Sequence, residues 1–305
     1  MPLRSLLFVP ANSAPSRLDH LARSCAAPQL PDAVIVDLED SVPESAKLAA
    51  RRSLHDTLAR AQALVALGTA IYVRVNGLST PHFLDDLQAV APWAGRGVGV
   101  MISKCAGSED VAAVLAASSA FTGAAIIPLI ETLAGLHHRD AVMQFGARSG
   151  VRHVAFGAGD MSLELGVERD YQLALLQHVI LSLVVSAKSH GLRLIDAPSR
   201  VIPSTQSAQG WRELLEAECR WSFANGLSGK LAVHPEQVAT IHAVFDHQPQ
   251  LEWARQVVAD FSRVPDQRSL VSSTTGGYMG TPTLKQAQAI LAQAGTEQAP
   301  KVPPT

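Results

Sequence analysis

Apolar residues recur along this chain in two alternating rhythms. Short runs rich in β-branched residues, such as Ala33-Val34-Ile35-Val36, alternate with longer stretches whose apolar positions return every three to four residues. The short runs predict strands at 4–9, 33–38, 70–75, 98–103, 124–130, 153–156, 192–195 and 229–233. Between them the longer period predicts helices, among them 44–64, 108–118, 171–190 and 208–224. Several strands are apolar at nearly every position, as strands covered on both faces are. Strand–helix alternation implies parallel strands, and eight such units is the number that closes a (β/α)8 barrel. A doubly wound open sheet would carry a glycine-rich phosphate turn after its first strand, whereas Pro10-Ala11-Asn12-Ser13 follows here. The expected fold is an α/β TIM barrel.

Two further helices are predicted at 236–246 and 251–262. The stretch from Ser269 to Thr281 is rich in small and polar residues, including Gly276, Gly277 and Gly280, and reads as a hinge. A last helix over 282–294 opens on Pro282 and sets Leu284, Ala287, Ile290 and Leu291 on one side. That stripe calls for a partner, either the chain's own barrel or a neighbouring subunit. The expected organisation is a catalytic barrel with closing helices over 1–264, then a hinge, a lid-like helix and a frayed tail over 265–305.

In such a barrel, chemistry gathers at the C-terminal ends of the strands. Strand two ends in Asp37-Leu38-Glu39-Asp40, strand three in Arg74-Val75-Asn76, and strand four in Ser103-Lys104. Strand five ends in Glu131, strand six in Gly157-Ala158-Gly159-Asp160, strand seven in Asp196 and strand eight in His234. These groups are expected to converge on one mouth. Glu131 and Asp160 follow apolar strands in neighbouring units, and two carboxylates with open positions suit a hard cation such as Mg2+. The alternatives are a helix cap for Asp160 and an ion pair for Glu131. Arg74 alternates with Val73 and Val75, so it faces away from them and must meet a carboxylate of the protein or of a ligand. Asp37, Glu39 and Asp40 could orient it; Glu39 and Asp40 could equally cap the next helix.

Charge and cysteine content narrow the partners. The net charge of −2, without a block of like charge, argues against nucleic acid or an anionic membrane, so an anionic ligand needs local cations or a metal. Cys25, Cys105 and Cys219 show no CxxC spacing, which fits buried thiols in a reducing, cytoplasmic setting. The apolar start Leu6-Leu7-Phe8-Val9 is shorter than a signal core and is cut off by Pro10. No run approaches a membrane span in length.

Taken in order, several motifs resemble one family. They are Leu7-Phe8-Val9-Pro10, Asp37-Leu38-Glu39-Asp40-Ser41-Val42 with Lys47 and Arg51, and Val73-Arg74-Val75-Asn76. Ile130-Glu131-Thr132, Gly157-Ala158-Gly159-Asp160, Gly229-Lys230 and Val233-His234-Pro235 continue the series. The chain over roughly residues 4–246 resembles the citrate lyase beta-subunit-like group of the HpcH/HpaI aldolase/citrate lyase superfamily, and Pro282 to Ala287 resembles its C-terminal helix. The resemblance implies a Mg2+-dependent carbon–carbon lyase acting on citryl-, malyl- or citramalyl-type thioesters. It implies Glu131 and Asp160 as metal ligands and Arg74, with Arg17 and Asn76, as substrate contacts. It also implies a homo-oligomer, a trimer or hexamer, whose substrate is a small acyl-CoA or acyl-carrier thioester. Citramalyl-CoA is the preferred expectation. Three positions depart from the pattern: Ala11 replaces a glycine, His20 a basic residue, and Gly280 the aspartate of the malyl-CoA-lyase branches. With Gly280 there, the general base is left among Glu39, Asp40 and hydroxide on the metal. Two other functions stay open: a catalytically weak metal- and CoA-binding scaffold, and an aldolase of free 2-keto acids.

Overall fold

The computed structural model describes residues 3–24, 29–203, 210–263, 269–272 and 277–298. Eight parallel strands form a closed barrel in sequence order: β1 (Ser5–Pro10), β2 (Ala33–Asp37), β3 (Ala70–Val75), β4 (Val98–Ile102), β5 (Ile126–Ile130), β6 (His153–Phe156), β7 (Arg193–Asp196) and β8 (Gly229–Ala232). Around them run α1 (Ala14–Ser24), α2 (Lys47–Ala66), α3 (Phe83–Val90), α4 (Ser108–Ala117), α5 (Leu133–His137), α6 (Arg139–Arg148), α7 (Ala158–Leu165), α8 (Ala174–Ser189), α9 (Gly210–Ala224) and α10 (Gln237–Val244). β8 pairs with β1 through Leu6 and Leu231, which closes the ring. The TIM barrel expected from the alternation is the observed fold.

Strand alternation divides the apolar residues between two layers. Leu6, Ile35, Tyr72, Met101, Leu129 and Leu231 fill the barrel interior. Their chain neighbours, such as Leu7, Val34, Val73 and Ile130, pack beneath the helices instead. Gly99 is a glycine because any Cβ there would collide with the Tyr72 ring inside the barrel. Two faces, both buried, explain why these strands read as continuous apolar runs.

Asp196 corrects the expectation that every strand-end charge reaches the mouth. Ile195 takes the inward position, so Asp196 turns outward beneath α9. There Lys230 Nζ lies 2.6 Å from Asp196 Oδ2, and both side chains are fully buried. Tyr171 and Ser222 donate their hydroxyls to the same carboxylate, each at 2.7 Å. Lys230→Met strands this carboxylate, and denaturant unfolding is expected to show a loss of about 3–5 kcal/mol. A loss well below about 1 kcal/mol would mean that the two hydroxyls alone satisfy Asp196.

By internal contacts the chain resolves into one compact unit over Leu3–Phe245 and a second from Asp246 onward. The division falls ahead of α11 (Gln248–Ser262), not at the 264/265 boundary expected. The reason is packing. Ala254, Val257 and Phe261 of α11 cover Leu284, Ala287, Ile290 and Leu291 of α12 (Thr281–Gln298), so α11 is the partner of the predicted stripe. The stretch read as a hinge contains a short antiparallel ladder, β9 (Ser269–Val271) with β10 (Tyr278–Gly280). Gly276 within it, Cys25, and residues 299–305 of the expected tail lie outside the described residues. Cys105 and Cys219 are buried free thiols, as expected. No helix among the described residues is long and apolar enough to cross a membrane.

Candidate active site

The carboxyl ends of β1, β2, β3, β5, β6 and β8 border a cleft of about 390 Å³ whose lining includes Asp37, Asp40, Arg74, Glu131 and Asp160. Parity places Arg74 there: two residues along β3 from Tyr72, it shares the inward face at the end where the barrel opens. Its guanidinium meets Asp37 as a fork, Nε to Oδ1 and Nη2 to Oδ2, both at 2.7 Å. Nη1 lies 3.0 Å from Glu39 Oε2 and 3.3 Å from Asp40 Oδ2. The Phe8 ring sits 4.7 Å from the guanidinium carbon. Asp37 in turn accepts the backbone N–H groups of Glu39 and Ser41, which shapes the loop carrying the acid run. Burial works to raise the Asp37 carboxyl, but the Arg74 hydrogen bonds outweigh it and hold the group below its ordinary range. The carboxylate that Arg74 required is thus supplied by the protein, and the fork is fixed before any ligand arrives.

Glu131 follows β5 directly and is 4% exposed. Its Oε1 accepts the Lys104 backbone N–H at 2.8 Å. Burial pushes its carboxyl up to about 8, against the pull of Arg74. Gly157 makes the room it occupies, since a Cβ there would collide with the Glu131 side chain. Asp160 lies in the first turn of α7, and its Oδ2 is buried without a hydrogen bond, although Lys104 Nζ stands 3.2 Å away. Neither alternative read from the sequence uses up these oxygens. Two neighbouring carboxylates with unspent acceptors fit a hard divalent cation that completes its shell with water or substrate oxygens. Among the described residues no group of three or more His, Cys, Asp and Glu is arranged to hold a metal.

The remaining predicted residues divide. Arg17, on α1, lines this cleft and an adjoining one of about 350 Å³ that also includes His20 and His234. Asp40 lines the cleft and is largely exposed, whereas the Glu39 oxygens are engaged by Arg74, Lys104 and the Asp40 backbone N–H. Asn76 is buried, and its amide is engaged within the protein: Nδ2 donates to Asp86 at 2.6 Å and to the Leu38 carbonyl at 3.1 Å, while Oδ1 accepts from Lys47 at 2.8 Å. Its observed work is to tie the β2 and β3 loops together.

A profile of the HpcH/HpaI aldolase/citrate lyase family matches residues 4–235. The chain belongs to this family. A citrate lyase subunit beta-like protein of Deinococcus radiodurans is 31% identical, over 95% of this chain and 96% of its own length. A (3S)-malyl-CoA thioesterase of Cereibacter sphaeroides is 30% identical, over 96% and 95%. The mitochondrial citramalyl-CoA lyase of Mus musculus is 26% identical, over 96% and 86%. Among solved structures, CitE of Mycobacterium tuberculosis in complex with magnesium, acetoacetate and coenzyme A matches with a TM-score of 0.69 at 25% identity, over 96% of this chain and 98% of that one. The protein is an enzyme of the citrate lyase beta-like, citramalyl-CoA lyase type, in a family of CoA-thioester lyases.

Within this family member, three residues of the site had no role assigned from sequence. Lys104 ends strand four, yet only the structure shows its ammonium reaching Glu39 and Asp160. Asp86 on α3 is fully buried and anchors both Asn76 and, at 3.1 Å, Arg51. Arg169 lines the cleft, donates to the Pro198 carbonyl, and buries its Nε without a partner. A lone acid on a helix or an arginine in a loop carries no periodic signal that would mark it.

Proposed function

We propose that this enzyme cleaves a short β-hydroxyacyl thioester, citramalyl-CoA ahead of malyl- or citryl-thioesters, into a 2-keto acid and an acetyl thioester. The observation that supports it is the placement of Glu131 and Asp160, with unspent oxygens, at the same mouth as a guanidinium already locked by Asp37. Magnesium, held by Glu131 and Asp160, would supply a Lewis acid for the carboxylate and hydroxyl of the 2-hydroxy-acid half and lower that hydroxyl's pKa. Asp40, whose carboxylate lines the cleft, takes the hydroxyl proton as the C–C bond breaks. Arg74 faces the enolate oxyanion that forms on the thioester side. Because Asp37 has fixed its plane, it stabilises that charge without reorienting. The α-carbon of that enolate then takes up one proton, balancing the one given to Asp40, to become the acetyl thioester. Arg17, between the two clefts, with His20 and His234 in the second, provides cationic and polar groups for the phosphates of a CoA handle. The enzyme works as a cytoplasmic homo-oligomer.

The thioesterase relative makes hydrolysis the reading to separate from cleavage. Gly280 brings no carboxylate for activating water. Its φ is not positive, and a Cβ there would meet only ordinary contacts, so the backbone does not require glycine. The purified enzyme is to be given citramalyl-, malyl- and citryl-CoA with Mg2+ while 2-keto acid and free thiol are followed together. Keto acid in step with acetyl-CoA, and little thiol, is the expected result. Thiol release at rates comparable to keto-acid formation would make the protein a thioesterase. Binding without turnover would make it a scaffold, and turnover indifferent to loss of the CoA handle an aldolase of free acids.

A further inference from the structure

Lys104 touches both proposed metal ligands through different atoms. Its backbone N–H donates to Glu131 Oε1 at 2.8 Å, while its Nζ stands 3.2 Å from Asp160 Oδ2. The same ammonium bridges to Glu39 and lies 3.6 Å from Asp40 Oδ1. The residue reaches both directions because its backbone is left-handed, with φ of 49°, alone among the described non-glycine residues. A lysine in that region is strained where glycine would not be, and such strain collects at functional sites.

The charges around it point the same way. Asp37, Glu39, Asp40, Glu131 and Asp160 gather at this mouth, and the Arg74 fork is given to Asp37. Arg74 Nη1 is shared between Glu39 and Asp40 and does not reach Asp160, so without a second cation Asp160 would face these carboxylates uncompensated. Lysine suits a cation that must leave: its ammonium is a compact charge on a four-carbon stem, and the side chain is 38% exposed. It can swing toward water without moving the backbone N–H that secures Glu131.

We propose that Lys104 is the positioning residue and resident counter-charge of the metal site, its ammonium holding Asp160 and Glu39 until a divalent cation displaces it from Asp160. Loading the site then exchanges one cation for another while Glu131 stays in place. The proposal rests on the assignment of Glu131 and Asp160 as ligands.

Two neutral variants, Lys104→Met and Lys104→Gln, test it, with Lys104→Arg keeping the charge. Mn2+ binding is measured by electron paramagnetic resonance and Mg2+ binding by calorimetry on chelator-treated protein. Both neutral variants should bind the metal at least about tenfold more tightly, because the competing charge is gone. Their thermal midpoints should fall in chelator and recover with saturating Mg2+, a larger metal-dependent gain than wild type shows. Lys104→Arg should bind within about threefold of wild type, since the counter-charge remains. Neutral variants that bind metal no tighter than wild type overturn the proposal, because damage to a merely structural residue can weaken the site but not tighten it. A wild-type protein that binds neither cation overturns the ligand assignment as well, which tells the two failures apart.

Discussion

Glu131→Gln and Asp160→Asn are each expected to lower turnover by about a thousandfold or more, the scale of a lost Lewis acid, while leaving a folded barrel. Gln keeps an oxygen where Glu131 Oε1 accepts the Lys104 N–H, so the one backbone contact of this buried side chain survives. Asn at 160 removes a charge whose Oδ2 makes no hydrogen bond, and its ion-pair partner Lys104, 38% exposed, keeps Glu39 and can turn to water. Neither change opens a cavity, because both are isosteric. Circular dichroism and denaturant midpoints should stay near wild type while Mg2+ binding disappears. Near-normal turnover at limiting Mg2+ in either variant would remove that residue from the ligand set.

Arg74 carries the second large effect, and here catalysis and stability fall together. Arg74→Met leaves Asp37, almost fully buried, without its fork, an expected loss of about 3–5 kcal/mol. The pH dependence of that loss follows from Asp37, whose carboxyl is held below its ordinary value of 3.8. A depressed carboxylate contributes stability that is present above its unfolded pKa and is lost as pH falls through the folded one. The gap between wild type and variant should therefore be full at neutral pH and close progressively in acid below about pH 4. Arg74→Lys restores a charge but not two parallel bonds. It should recover part of the stability and little of the activity, with the deficit in kcat and not in KM if the contact strengthens as enolate charge develops. A variant that raised KM alone would reduce Arg74 to a ground-state binding role.

Much of the architecture was legible in local pattern. Strands covered on both faces need apolar residues at every position, and eight of them alternating with helices leave few ways to close a sheet. Period-2 parity placed Arg74 inside and Val73 outside, as found. The positions of Glu131 and Asp160 just beyond their strands likewise carried them to the mouth. These inferences succeed because the physics behind them acts over a few residues.

What failed depended on distances the sequence does not carry. Asp196 has the same strand-end address as Glu131, but one step of parity sends it under α9 to a buried lysine on the next strand. Asn76 looked like a substrate contact until Asp86, Lys47 and the Leu38 carbonyl took up its amide. Lys104 stood in plain view at the end of β4, yet its reach to Glu39 and Asp160 follows from one left-handed residue and a long flexible stem. The stripe on α12 announced that it needed cover, and only packing chose α11 to provide it. Sequence by itself determined which elements form and which faces they bury, because hydrophobic periodicity is a local property. Which charges meet was decided by the tertiary structure, since ion pairing depends on separations of a few ångströms between residues tens of positions apart.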